Sequence, residues 1–222
     1  MLDFICFYTI TVIRKNNKHF NWAILMILYL MRHGQTDWNV KHRCQGWNDI
    51  ALNDNGINQA RDAALKIKDI EIETIYASDL KRAKKTADII SAHLDLPVHY
   101  TKRLREMNFG KAEGIKKTDL EAKFPYIYSA FNDVKNPERY DIRYPNGETI
   151  GEVQQRFMKL VTKLFEDGRQ NVLIVTHGML IRIFCEICLK KSIKLDNCSV
   201  LISKNIFYNI KQTLNHNKIT KK

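Results

Sequence analysis

The chain has 222 residues, 45% hydrophobic and 27% charged, close to the soluble globular average, which excludes disordered, collagen-like and polytopic membrane classes. Its formal charge of +12 is unevenly spread: residues 26–189 carry 25 Lys/Arg against 22 Asp/Glu, whereas 190–222 carry eight lysines against Asp196, so the excess reads as a solvated C-terminal stretch that ends in a basic tail (213–222) and not as a nucleic-acid surface. The cysteines (Cys6, Cys44, Cys185, Cys188 and Cys198) are five, an odd number at scattered positions, which does not fit a secreted disulfide framework and points to a reducing cytoplasm.

Phe4–Ile13 is apolar but about half the ~20 residues needed to span a bilayer, and it lacks the cationic start and small-residue cleavage site of a signal peptide. No stable membrane insertion is expected. Met26 precedes the apolar run Ile27–Leu30, a strand expected to be buried on both faces, so residues 1–25 read as an extension and Met26 as the expected functional start. Asn53–Gly56 supplies cap residues for a helix with Ile57, Ala60, Ala64 and Ile67 on one face. Thr74–Ala77 reads as a strand, and Ser78-Asp79 as the cap of a helix carrying Leu80, Ala83, Ala87, Ile90 and Leu94. Val98–Thr101 follows as a strand after Pro97. From Phe124 to Pro145 aromatics and prolines occur without periodicity, so an irregular insertion is expected over one end of the sheet. Ile150, Val153, Phe157, Leu160 and Leu164 mark another helix, Asn171–Thr176 the strongest strand, 179–189 a helix, and 199–203 and 206–210 two more strands.

This alternation predicts an α/β fold, a three-layer α/β/α sandwich with a mainly parallel sheet, in a single domain over 26–212. Sites in such folds gather at the carboxyl ends of strands. His33 and His177 each follow a strand there, and each precedes a glycine that lets a backbone amide approach an anion closely.

The two histidines belong to a longer ordered set. It comprises Leu30-Met-Arg-His-Gly-Gln-Thr-Asp-Trp-Asn39, Arg43-Cys-Gln-Gly46, Ser78-Asp-Leu-Lys-Arg-Ala83, Leu104-Arg-Glu106, Phe109-Gly110, Glu113-Gly114, Pro145-Asn-Gly-Glu-Thr149 and Thr176-His-Gly178. Over about residues 26–210 this set resembles the histidine phosphatase superfamily, in its phosphoglycerate mutase-like branch, nearest to small phosphatases of the α-ribazole phosphatase and broad-specificity type. The resemblance implies that His33 accepts the phosphoryl group, that Arg32, Arg82 and His177 line the phosphate pocket, and that Glu106 donates the proton. It also implies that Asn39, Gln45, Gly46 and Gly178 contact substrate. Phosphoryl transfer asks the protein mainly to position groups and neutralise oxygens. Two guanidiniums do this without a metal or cofactor, and cationic neighbours keep an imidazole neutral enough to attack.

The expected activity is a metal-independent phosphomonoesterase using a phosphohistidine on a small phosphorylated metabolite, by a monomer or homodimer. The alternatives are a cofactor-dependent phosphoglycerate mutase and a non-catalytic phospholigand-binding module. Glu106-Met-Asn-Phe-Gly110 lacks the extra basic residues that mutases carry after the acid, whereas Lys116-Lys117 and Gly46-Trp-Asn-Asp49 echo mutases. Lys123, Tyr126, Tyr128, Arg139, Arg143 and Tyr144 are the candidate cover residues, suited to a polar or second anionic group on the substrate. Cys185-Glu-Ile-Cys188 reads as two reduced core thiols, and His19, His42, His93, His99 and His216 as surface residues.

Overall fold

The computed structural model describes residues 5–8, 26–188 and 193–204. Its sheet contains β1 (Ile5–Tyr8), β2 (Ile27–Arg32), β3 (Thr74–Ala77), β4 (Val98–Tyr100), β5 (Asn171–Thr176) and β6 (Val200–Lys204) in the order β1-β6-β2-β5-β3-β4. Strands β2, β5, β3 and β4 run parallel, and β6 lies antiparallel to β2. The mainly parallel sandwich read from the sequence is therefore present, with β1 added along β6 from the segment expected to be an extension. The expected strand at 206–210 and the basic tail lie outside the described residues, as do His19 and His216.

Alternation along the strands builds two cores. Leu28 and Leu30 of β2, with Val172 and Ile174 of β5, face one way; they meet α6 (Ile150–Glu166) and α7 (Gly178–Cys188) through Val153, Phe157, Leu160, Ile181 and Phe184. Tyr29, Met31, Leu173 and Val175 face the other way, onto α2 (Asp54–Ile67) and α3 (Lys81–Leu94) through Ala63, Ala64, Ile67, Ala83, Ala87 and Ile90. A short α1 (Asp37–Val40) lies between β2 and α2. All five apolar positions expected on α6 are buried. That helix begins with a reciprocal capping box between Thr149 and Glu152.

Two local expectations are corrected. Helix α3 starts at Lys81 with Leu80 as an N-cap that offers no side-chain bond; Ser78 Oγ accepts from the Leu80 amide at 3.3 Å, but the Asp79 carboxylate is held by Arg105 at 2.7 and 2.6 Å. Asp49, from a distant loop, accepts from the Lys81 amide instead, at 2.6 Å. The stretch 124–145 is not irregular throughout: α4 (Leu120–Lys123) leads into α5 (Pro125–Asn132), with a 3-10 turn at Pro137–Tyr140. These helices are too short to show a 3.6-residue period, and Pro125 sits at the first turn, where its missing N–H costs nothing.

Phe157 packs edge-on against Phe184 between α6 and α7, with centroids 5.4 Å apart. Phe157→Ala should lower unfolding free energy by about 3–5 kcal/mol through lost burial and a cavity. Thr149→Ala, which removes only the cap, should cost about 1 kcal/mol. Urea unfolding of both variants checks the order; a reversed order would count against α6 being held mainly by its buried face.

Candidate active site

The register of β2 on β5 pairs Arg32 with Thr176, and the His33 amide then donates to the Thr176 carbonyl at 2.9 Å. His33 and His177 thus leave adjacent parallel strands side by side, with ring centroids 5.1 Å apart and ring planes tilted by 58°. Both are buried. His33 Nδ1 lies 2.7 Å from the Gly34 carbonyl oxygen. A carbonyl can only accept, so Nδ1 carries the proton and Nε2 keeps its lone pair. Burial holds the His33 pKa well below the usual imidazole range, reinforced by the charges of Arg82 and Arg32. Burial acts on His177 in the same direction, with Arg82 next in weight.

The two guanidiniums are fixed almost entirely by carbonyls. Arg32 Nη1 donates to the Leu195 carbonyl at 2.9 Å. Arg82, with no solvent exposure, donates to the carbonyls of Asn48 at 2.8 Å and Gly46 at 2.7 Å. Its pKa falls to about 10, chiefly through burial and offset by Glu106 and other carboxylates, so it stays charged at neutral pH. Arg32 Nε, Arg82 Nε and both nitrogens of His177 are buried without a hydrogen-bond partner. Buried polar atoms are rarely left unpaired, and a donor set gathered beside a neutral imidazole fits the oxygens of a tetrahedral anion.

A cavity of about 320 Å³ opens over these groups. Arg32, His33, Arg82, Asn39, Gln45, Glu106 and Gly178 line it. Asn39 Oδ1 accepts from the Thr36 amide at 3.1 Å, which leaves its Nδ2 for a ligand. His177 lies beneath the lining. Gly46 is outside it and contributes its carbonyl to Arg82. The Gly34 amide donates to Thr86 Oγ1 at 3.0 Å, so the expected anion contact through that amide is replaced by a structural bond. Next to Gly178, the Met179 and Leu180 amides at the start of α7 donate to Glu106 at 3.2 and 3.3 Å, and the Met107 amide adds a third bond at 3.0 Å. Arg105 pairs with Asp79 at 2.6 Å, leaving the Glu106 carboxyl to the cavity. Cys44 also lines the cavity, but burial and the charges of Glu106 and Glu113 push its thiol up to about 12, so it is no rival nucleophile. Among the described residues, no group of three or more His, Cys, Asp or Glu side chains is disposed to hold a metal ion.

The outer wall departs from the sequence expectation. Tyr128 and Tyr144 line the cavity with Phe109, Leu120 and Phe131. Arg139, by contrast, is buried against Glu186 at 2.9 Å, Arg143 pairs with Glu152 at 3.0 Å, Tyr126 reaches Glu138 at 3.2 Å, and Lys123 lies outside the lining. The cations that line the cavity are instead Arg43, Lys117 and Lys194, with Arg182, which is itself paired with Glu186 at 2.9 Å. Sequence reasoning also missed the supports. Asn197 donates to the His33 carbonyl at 2.7 Å. Arg156 donates to the Glu106 carbonyl at 2.9 Å while paired with Glu148 at 2.9 Å. The Gly-Glu-Thr block was the one signal for Glu148; nothing in the pattern marks Asn197.

The profile of the histidine phosphatase superfamily (branch 1) matches residues 28–205. The uncharacterized phosphatase PhoE of Bacillus subtilis is 38% identical over 150 residues, 67% of this chain and 70% of its own. The probable phosphoglycerate mutase GpmB of Erwinia tasmaniensis is 34% identical, over 79% of this chain and 83% of its own. Among solved structures, mycobacterial glucosyl-3-phosphoglycerate phosphatase in complex with VO3 superposes with a TM-score of 0.68 at 29% identity, over 80% of this chain and 92% of that one.

Both histidines are held neutral by the fold. Below about pH 6.5 an unfolded chain takes up protons that the folded site refuses, so stability is full above that pH and is lost as pH falls. Each ring should contribute a slope of up to about 1.4 kcal/mol per pH unit in that window. Urea unfolding between pH 7 and 5 should show this fall, and His177→Gln should lessen it. An unchanged slope in the variant would contradict the buried neutral ring.

Proposed function

This chain belongs to the histidine phosphatase superfamily, branch 1, and from that membership we propose that it is a phosphomonoesterase working through a phosphohistidine at His33. The observation that carries this reading is the fixed tautomer. With Nδ1–H committed to the Gly34 carbonyl, His33 presents an unprotonated Nε2 to a cavity floored by two fixed guanidiniums.

In the proposed reaction, Arg32, Arg82 and the Asn39 amide bind the oxygens of the phosphoryl group from the lining, and His177, beside His33 with both ring nitrogens unpartnered, adds its N–H to them from below. His33 Nε2 forms a bond to phosphorus as the ester P–O bond breaks, and Glu106 passes its proton to the leaving oxygen. The phosphorylated imidazole is cationic, and its Nδ1–H remains on the Gly34 carbonyl. A water then attacks phosphorus, its proton goes to Glu106, and the P–N bond breaks to give inorganic phosphate and the starting enzyme. The arginines supply the charge neutralisation, so a metal has no necessary part in these steps.

A small organic phosphate is the favoured substrate class, since a cavity of about 320 Å³ with an aromatic wall holds more than the phosphoryl group alone. The similarity to GpmB keeps a mutase reading open. Against it, Met107 is wholly buried in the core and the Asn108 carbonyl group of the side chain accepts from the Gly110 amide at 2.8 Å. Residues 107–110 thus add no cation for a second phosphate, and the one that this part of the chain does bring to the cavity is Lys117.

His33→Ala should abolish hydrolysis of p-nitrophenyl phosphate, while a chelator should leave the wild type active. Rapid quench with a labelled ester should trap an acid-labile, base-stable adduct; activity surviving in His33→Ala would sink the mechanism. Glu106→Gln should slow alkyl phosphates roughly 10²–10⁴-fold and aryl phosphates far less, because a phenolate leaves without a proton. Steady-state rates on the two ester classes decide this, and equal losses would reject the acid role.

A further inference from the structure

The Arg82 guanidinium is held by two carbonyls, those of Gly46 and Asn48, which belong to a loop outside any helix or strand. One side chain grips that loop. Glu113 Oε1 accepts from the Trp47 amide at 2.8 Å and from the Phe109 amide at 3.1 Å. Its Oε2 accepts from the Asn48 amide at 3.0 Å and from Asn48 Nδ2 at 2.7 Å. The fit is close on the other side as well: Gly46 has φ +52°, and a Cβ there would lie 1.9 Å from Glu113 Oε1. The same loop also reaches the backbone of Glu106, since Trp47 Nε1 donates to the Glu106 backbone carbonyl at 2.9 Å, with the Arg105 guanidinium 5.1 Å over its ring.

We propose that Glu113 is a positioning residue: by holding loop 46–48 it sets the Arg82 guanidinium against the phosphoryl oxygens and ties that clamp to Glu106. The inference rests on the reading of Arg82 as a phosphate ligand. Glu113 takes four N–H donors and, among the described residues, forms no ion pair, so its charge is spent on backbone and amide groups of this one loop and its neighbour. It also lies near enough to Arg82 to favour the charged guanidinium, after Glu106 and Asp49. Each oxygen of Glu113 is doubly engaged, so an amide in its place would face two N–H donors with an N–H of its own.

The test is binding of orthovanadate, measured by isothermal titration calorimetry on the full chain, with p-nitrophenyl phosphate kinetics alongside. Glu113→Gln should weaken vanadate roughly tenfold or more, the effect expected for disturbing hydrogen bonds to a charged group. In an Arg82→Lys background it should add little further, because the two residues act through one clamp. Asn48→Ala, which removes one donor and leaves the carboxylate and Arg82 in place, should weaken vanadate about threefold and serves if Glu113→Gln does not fold. A lowered melting temperature with unchanged vanadate affinity, or losses that add fully to those of Arg82→Lys, would show a merely structural Glu113 and overturn the inference. A wild-type chain that binds no vanadate would remove the proposed function and this inference together; equal binding by wild type and Glu113→Gln removes this inference alone.

Discussion

The structure turns on keeping one imidazole neutral inside a positively charged pocket. Burial and two adjacent guanidiniums push His33 in the same direction, and the Gly34 carbonyl decides which nitrogen bears the proton. The choice of partners for the guanidiniums is what makes this work. Arg32 and Arg82 rest on the carbonyls of Leu195, Gly46 and Asn48. Carbonyls satisfy donors without cancelling charge, whereas a paired carboxylate would neutralise the field that a phosphate needs. The pocket carries its positive charge into the bound state without having to break an ion pair first.

That field is preorganised by parts of the chain that carry no regular pattern. Loop 46–48 holds Arg82, the segment before β6 supplies Leu195 for Arg32 and Asn197 for the His33 carbonyl, and the Glu148–Arg156 pair holds the carbonyl of Glu106. Such groups act by being in place beforehand, since donors that must reorient during reaction lose much of their value. Loops are where such work concentrates, because a rigid sheet beneath them fixes their ends.

The sheet and its long helices were legible because burial imposes periodicity. The face Ile150, Val153, Phe157, Leu160 and Leu164 appears in the sequence at helical spacing and in the structure as the buried side of α6. The short α4 and α5 were not legible, having too few turns to show a period. The site divides in the same way. His33, Arg32, Arg82, Glu106 and Asn39 sit in motif blocks and share one cavity. The wall was misjudged because Arg139 and Arg143 were counted as available charges. In fact they are taken by Glu186 and Glu152, residues more than eight positions away in the chain, and composition cannot say which cation is already paired.

Strand register is the last constraint. Arg32 lies opposite Thr176, and Thr176 Oγ1 donates to the Leu104 carbonyl at 2.7 Å, so one residue of β5 aligns both the β2 end and the segment leading to Glu106. The chain then turns through His177 into α7, whose first amides take the Glu106 carboxylate. A slip of one residue between β2 and β5 would reverse the faces of every side chain on the slipped strand, driving Leu28 and Leu30 out of one core as it carried His33 away from the cavity. The apolar alternation that buries the sheet therefore also enforces the alignment on which the chemistry of the cavity depends.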